Sequence, residues 1–67
     1  MKNLSNLIKG LQIIAKVEGE ETSEFNSQNS LLFIGVPVKY SDEDVRILHN
    51  LGFEINTEYE CFEYDLD

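Results

Sequence analysis

The residue types in this chain that could do chemistry are carboxylates, one histidine and one cysteine. Three consecutive acids, Asp42 to Asp44, precede the only histidine, His49, and the only cysteine, Cys61, follows in the last third of the chain. One Cys and one His cannot supply the ligands of a structural zinc site. A single Cys also excludes an intramolecular disulfide, which favours a reducing compartment such as the cytoplasm.

The three consecutive acids have the pattern of a helix start. Ser41 stands where an N-cap is expected, and Asp44 occupies the third helical position, a spacing typical of a capping box. Carboxylates in a first turn also meet the positive end of the helix dipole. A magnesium or calcium site needs several oxygens converging on one point, whereas neighbouring helix positions point about 100° apart. We therefore expect no metal and no cofactor here.

Catalysis by the other two candidates is not indicated. A nucleophilic pair of Cys61 and His49 needs a third group that orients the imidazole and a cleft for the substrate, and the sequence indicates neither. His49 falls near the end of the predicted helix, where the dipole favours a protonated imidazole. Acid pairs that could act as general acid and base are unavoidable in a chain with thirteen Asp and Glu. We predict that the protein is not an enzyme.

Two stretches have the apolar spacing of amphipathic helices. Within residues 3–17, apolar residues fall at i, i+3, i+4, i+7, i+10 and i+11, which places them on one stripe of a helix. From Ser41 to Leu51 the helical period returns, and Gly52 is expected to end the second helix.

The remaining segments predict strands. Residues 31–36 are rich in β-formers and are followed by Pro37, which cannot donate to a strand ladder. Residues 53–67 alternate as a hairpin does, with a turn at 56–60. The polar stretch 18–30 leaves two interpretations open, a mobile loop or a short edge strand at 22–26 that turns into the next strand.

These elements define a fold class. The order is helix, edge strand, strand, helix and hairpin, and sixty-seven residues make one domain, residues 1–67. We predict a two-layer α+β domain with both helices on one face of a three- or four-stranded, mostly antiparallel sheet. A chain of this length buries only about 60% of the surface that its unfolded form exposes, so a partner or self-association can add needed stability.

The net charge of −8 is distributed unevenly along the chain. Residues 1–17 carry three lysines and no acid, whereas all thirteen acids follow them. Neutralising phosphates requires a basic face, so direct binding to nucleic acid is disfavoured and a basic protein partner is favoured. The overall acidity opposes anionic lipid, and no stretch is long and apolar enough to span a bilayer, so we expect no membrane association.

The acids of the predicted hairpin are the ones that helix capping does not explain. On one face of a strand they repeat about every 6.8 Å, and like charges there repel each other. The candidate partner-binding residues are Glu54, Glu58, Glu60, Glu63, Asp65 and Asp67. One interpretation is a solvated face that keeps the protein soluble and its edge unpaired. The other is a surface that imitates a phosphate track and docks on a basic groove.

A recurring pattern runs through residues 40–67: a Ser-x-Glu-Asp helix start, a Leu-Gly-aromatic helix end, and an acidic hairpin closed by an aromatic residue. Its residues here are Ser41, Glu43, Asp44, Leu48, Leu51, Gly52, Phe53, Glu58, Tyr59, Cys61 and Phe62. In this pattern the chain resembles a group of small acidic proteins of bacteriophages and prophages. Phe53 stands where that pattern often has Trp. The resemblance implies a phage setting, among proteins that include anti-CRISPR inhibitors of host defence nucleases.

The sequence and the resemblance together predict a non-enzymatic phage or mobile-element protein that acts in the host cytoplasm. Its acidic, nucleic-acid-mimicking surface would occupy a basic groove of a host defence or nucleic-acid-processing protein, in the manner of an anti-CRISPR inhibitor. The alternative is a small homo-oligomeric structural or regulatory protein, for instance a homodimer joined through the first helix or the last strand, whose acidic face only solubilises it.

Overall fold

The computed structural model describes residues 4–19 and 25–66. Two helices and four strands follow one another in the order that the sequence predicted. They are α1 (Leu4–Glu18), β1 (Phe25–Gln28), β2 (Leu31–Ile34), α2 (Asp42–Asn50), β3 (Phe53–Asn56) and β4 (Cys61–Asp65), with one 3₁₀ turn at Pro37–Lys39 before α2. The α+β class is therefore confirmed. No helix in the described part of the chain is long and apolar enough to cross a membrane.

The four strands form one sheet in the spatial order β1-β2-β4-β3, and every neighbouring pair is antiparallel. β4 lies between β2 and β3, so β2 and β3 run parallel to each other and are connected by α2. The hairpin after β3 returns the chain into the gap between them. The last strand is thus central, which is why Phe62 and Tyr64 are almost fully buried.

Local signals set the ends of α2. The Ser41 Oγ accepts a hydrogen bond from the Asp44 N–H at 3.1 Å, which confirms the predicted N-cap. The three acids Asp42 to Asp44 lie in the first turn, where the helix dipole favours them. Gly52 follows the helix with φ +108°, a conformation that glycine adopts without strain, and it returns the chain toward the sheet.

The first hairpin differs in detail from its prediction. Asn29 and Ser30 both have positive φ, +54° and +66°, the conformation of a two-residue type I′ turn. The edge strand is therefore observed at Phe25–Gln28, and residues 22–24 of the predicted strand lie outside the described residues. β2 ends at Ile34, two residues earlier than predicted, because Gly35 takes φ +82° and leaves the extended conformation.

Both helices pack on one face of the sheet, as predicted. The buried core consists of Ile14, Leu32, Ile34, Tyr40, Leu48, Phe53, Phe62 and Tyr64. α1 packs closely on the sheet at Gly10, where an added Cβ would overlap the ring of Phe53. Gly10 is thus a contact position of the helix, at which a side chain has no space.

A carboxylate fixes the end of α1 to the loop after β2. Glu18 Oε2 accepts a hydrogen bond from the Val36 N–H at 2.8 Å, and its Oε1 accepts one from Lys39 Nζ at 3.2 Å. Burial alone raises the pKa of Glu18, but the Val36 N–H and Lys39 outweigh it, so the pKa lies below its ordinary value of 4.5. The side chain is only 8% exposed, which makes this contact part of the packed structure.

Candidate functional site

The sheet face opposite the helices is covered by neither helix, and we call it the open face. Residues on it alternate with the buried residues of each strand, and register partners point to the same side. The open face therefore carries Asn26, Gln28, Leu31, Phe33, Glu54, Asn56, Cys61, Glu63 and Asp65. Three of the six predicted partner-binding acids, Glu54, Glu63 and Asp65, lie on this one surface.

Glu54 and Glu63 are direct register partners across β3 and β4. The Cβ atoms of such partners lie roughly 4.5–5.5 Å apart, close enough for like charges to repel. The ion pair between described residues joins Lys39 and Glu18 on a different part of the molecule, and neither Glu54 nor Glu63 pairs with a described cation. Among the described residues, the centre of the open face therefore holds two adjacent negative charges that form no ion pair.

The β3–β4 turn brings two further predicted acids to the end of this face. Glu58 and Glu60 are both exposed in the turn at residues 57–60, and Glu60 has φ +55° where the turn ends before β4. The turn therefore ends at Glu60, directly before Cys61 begins β4. The sixth predicted acid, Asp67, lies outside the described residues.

Asn56 ties the turn to the open face. Its Oδ1 accepts a hydrogen bond from the Tyr59 N–H at 3.0 Å, and its Nδ2 donates to Glu63 Oε1 at 3.0 Å. The turn holds the Tyr59 ring against Phe33, with ring centroids 5.6 Å apart and an interplanar angle of 74°. One amide side chain thus positions both an aromatic ring and a carboxylate.

A shallow depression of about 220 Å³ lies between these groups. Its lining residues are Gln28, Asn29, Leu31, Phe33, Asn56, Tyr59 and Glu63. Of these, only Glu63 was predicted as a site residue. Leu31 and Phe33 were missed because the run around them resembles a strand buried on both faces. The acids at alternate positions of β3 and β4 could have indicated that one face of the sheet is exposed, and therefore that one side of β2 is exposed as well.

The surroundings of Cys61 on the open face do not favour a nucleophilic thiol. Burial raises the pKa of the Cys61 thiol and the Glu63 carboxylate raises it further, which opposes formation of the reactive thiolate. His49 is exposed on α2, which packs on the opposite face of the sheet, so the structure does not bring these two side chains together. Among residues 4–19 and 25–66, no three His, Cys, Asp or Glu side chains are grouped to hold a metal ion.

A second exposed surface lies along one side of α1, and we call it the α1 flank. It consists of Leu4 and Ile8, which are 69% and 46% exposed, and of the partly buried Leu11 and Ala15, of which Leu11 also packs against the core. A groove of about 550 Å³ follows the flank, with Gln12 and Lys16 at its polar border. The flank is apolar and cationic, whereas the open face is aromatic and anionic.

Comparison with protein-family models, with curated proteins and with solved structures found no match to this chain. Of the two surfaces, only the open face combines the facing Glu54 and Glu63 carboxylates with aromatic rings and a depression held in place by hydrogen bonds, and it is the candidate functional site.

Proposed function

We propose that the protein is a non-enzymatic binding protein whose open face docks on a basic surface of a nucleic-acid-handling protein. The observation that carries this proposal is the Glu54–Glu63 pair, two like charges placed opposite each other on an uncovered sheet face. Such a pair lowers stability, so folding alone does not favour it. A cationic partner that contacts both carboxylates removes the repulsion and gains two charge-assisted contacts.

The arrangement of charge supports a groove that normally holds nucleic acid. Glu58 and Glu60 extend the negative charge beyond one end of β4, and Asp65 lies toward its other end, so the carboxylates follow a line. A basic groove that tracks phosphates meets a comparable row of charges on this face. The net charge of −8 also accelerates encounter with a basic protein at low salt.

In the phage setting that the sequence resemblance implies, occupation of such a groove inhibits a host defence or nucleic-acid-processing protein. The protein then acts in the host cytoplasm, in the manner of an anti-CRISPR inhibitor, and competes directly with DNA or RNA. Because this competition depends on unscreened charge, it weakens as the salt concentration rises.

The proposal is tested by capture from a bacterial lysate at low salt. The wild-type chain is expected to retain a nucleic-acid-binding protein that added DNA or increasing salt releases. Glu54→Gln combined with Glu63→Gln is expected to lose it. The matched control, Asp42→Asn combined with Glu43→Gln, removes the same charge at the start of α2 and is expected to retain it. Failure to capture any nucleic-acid-binding protein, or capture indifferent to salt, contradicts the proposal.

The α1 flank supports a second candidate function, self-association. Leu4 and Ile8 are exposed one helical turn apart, and the partly buried Leu11 and Ala15 continue the row at the spacing of a coiled-coil seam. Two copies that pair their flanks remove this apolar surface from water. Sedimentation at increasing protein concentration tests it: a dimer that Ile8→Gln dissociates supports self-association, and a concentration-independent monomer rejects it.

A further inference from the structure

We propose that the depression on the open face recognises one arginine side chain of the partner. This inference rests on the proposed function and adds the chemistry of the contact. Its volume of about 220 Å³ is smaller than the roughly 300–1,000 Å³ of pockets that enclose whole small molecules. It is open to solvent on the side from which a partner would approach, so a single side chain is the occupant that its size favours.

The aromatic pair supplies a stacking surface for a planar cation. Tyr59 meets Phe33 edge-on, and the Tyr59 side chain remains 64% exposed, so one face of its ring is accessible. Guanidinium groups bind over aromatic faces within about 6 Å of the ring centroid. A flat guanidinium stacks there, whereas a lysine ammonium is a compact and strongly hydrated point charge.

Glu63 supplies the negative charge beside the rings. Its Oε1 accepts one hydrogen bond from Asn56, and each carboxylate oxygen has two lone pairs, so acceptor capacity remains for a ligand. Because Asn56 also holds the turn that carries Tyr59, the carboxylate and the ring are fixed relative to each other before a partner arrives. A guanidinium presents five N–H donors in a planar fork that matches a carboxylate.

The amides on the far side of the depression complete the set of acceptors. Gln28 and Asn29 come from the end of β1 and the turn after it, and their side-chain oxygens can accept guanidinium N–H groups that Glu63 does not reach. An apolar side chain in the same place would desolvate the Glu63 carboxylate without supplying a positive charge, and an anion would be repelled by Glu54 and Glu63. Arginine is the side chain that fits both the rings and the carboxylate best, because its planar guanidinium stacks on a ring while its N–H groups reach the carboxylate.

The test compares two blocked peptides of equal charge, tetra-arginine and tetra-lysine, binding to the full chain and followed by the backbone amide shifts of ¹⁵N-labelled protein. Tetra-arginine is expected to bind roughly two- to fivefold more tightly, the factor expected from one exposed cation–π contact. The largest shifts are expected at Gln28, Phe33 and Tyr59. Tyr59→Leu should abolish the preference while it leaves the tetra-lysine affinity unchanged, and Tyr59→Phe should keep the preference.

Charge controls separate this inference from the proposed function. Glu58→Gln removes an acid that does not line the depression, and it is expected to weaken both peptides by the same factor. Equal, salt-dependent affinities for the two peptides would overturn the arginine site and leave the acidic binding face standing. Binding of neither peptide would overturn both proposals. Retention of the arginine preference in a folded Tyr59→Leu protein would overturn the arginine site alone. Thermal unfolding of this variant verifies that it is folded.

Discussion

Replacing Glu54 with lysine is expected to stabilise the fold while it weakens the proposed binding. In the native sheet Glu54 lies directly opposite Glu63, and the two like charges repel. Lysine at position 54 converts the repulsion into attraction without a change in the core, because position 54 is exposed on the open face. A stabilising substitution that removes binding is the behaviour expected where a charge is placed for function.

The size of the effect follows from the register. Two unit charges about 5 Å apart interact by roughly 0.8 kcal/mol in water, and opposed charged pairs in sheets contribute roughly 0.2–1 kcal/mol. Reversal removes one unfavourable contribution and adds one favourable contribution, so the free energy of unfolding should rise by about 1 kcal/mol. In a domain of this size, a gain of 1 kcal/mol corresponds to a rise in Tm of roughly 4–8 °C.

The assay is thermal and urea unfolding of Glu54→Lys beside Glu58→Lys. The second variant changes the net charge identically but lies in the turn without a cross-strand partner, so it measures the general effect of lowering a net charge of −8. The difference between the two variants isolates the pair. This difference in stability should be largest at about 0.01 M salt and small at about 1 M, because the Debye length falls from about 30 Å to about 3 Å between these concentrations. Equal stabilities of the two variants at low salt would refute the electrostatic argument.

Three further predictions concern stability. Glu18→Gln removes the charge that the Val36 N–H stabilises, and it should lower the free energy of unfolding by about 1–3 kcal/mol. Because the pKa of Glu18 is lowered in the folded state, urea unfolding should show this loss in full above about pH 4.5. The loss should shrink as the pH falls through the folded-state pKa of Glu18. Gly10→Ala should lower Tm despite a helix-propensity gain of about 1 kcal/mol, because the new methyl meets the Phe53 ring. Ser41→Ala should cost about 1 kcal/mol in urea unfolding, and Ser41→Asp should restore it.

The parts of the fold that the sequence predicted correctly are those set by local chemistry. The Ser41 cap and the Gly52 helix end depend on residues within one turn of each other, and both are observed. Alternation between apolar and acidic residues placed Phe62 and Glu63 on opposite faces for the same reason, since a strand has a period of two. Each of these signals is complete within a few positions of the sequence.

The contacts that sequence reasoning missed join distant positions. No residue near Gly10 in the sequence indicates its role, which depends on Phe53, because the Phe53 ring packs where a side chain at position 10 would be. Glu18 was assigned to a polar stretch, but it ends α1 and accepts a hydrogen bond from Val36, eighteen residues further on. Neither partner is identifiable without the arrangement of α1 against the sheet.

The candidate site was likewise predicted in part, for the residues with local signals, and missed in part, for the contacts between distant positions. Its charges were predicted because acids on alternate positions are visible in the sequence. The depression was not, because it forms only when β4 enters between β2 and β3 and brings Glu63 beside Phe33. Tyr59 reaches the same place from a turn whose path is set by the Asn56 hydrogen bonds. The order of strands in the sheet therefore decides which residues surround the acids.

That geometry also bears on the choice between a solubilising face and a binding face. A face that only keeps the protein soluble needs scattered charges of both signs and no exposed apolar groups. The open face instead combines charges of one sign with Leu31, Phe33 and Tyr59. Tyr59 contacts Phe33 edge-on and covers it only partly, so both rings remain accessible. Tyr59 could shield Phe33 without a carboxylate beside it, and the carboxylates could keep the protein soluble without the Tyr59 ring. A cationic, planar partner group requires both, which is why the binding interpretation accounts for more of the surface than the solubilising one.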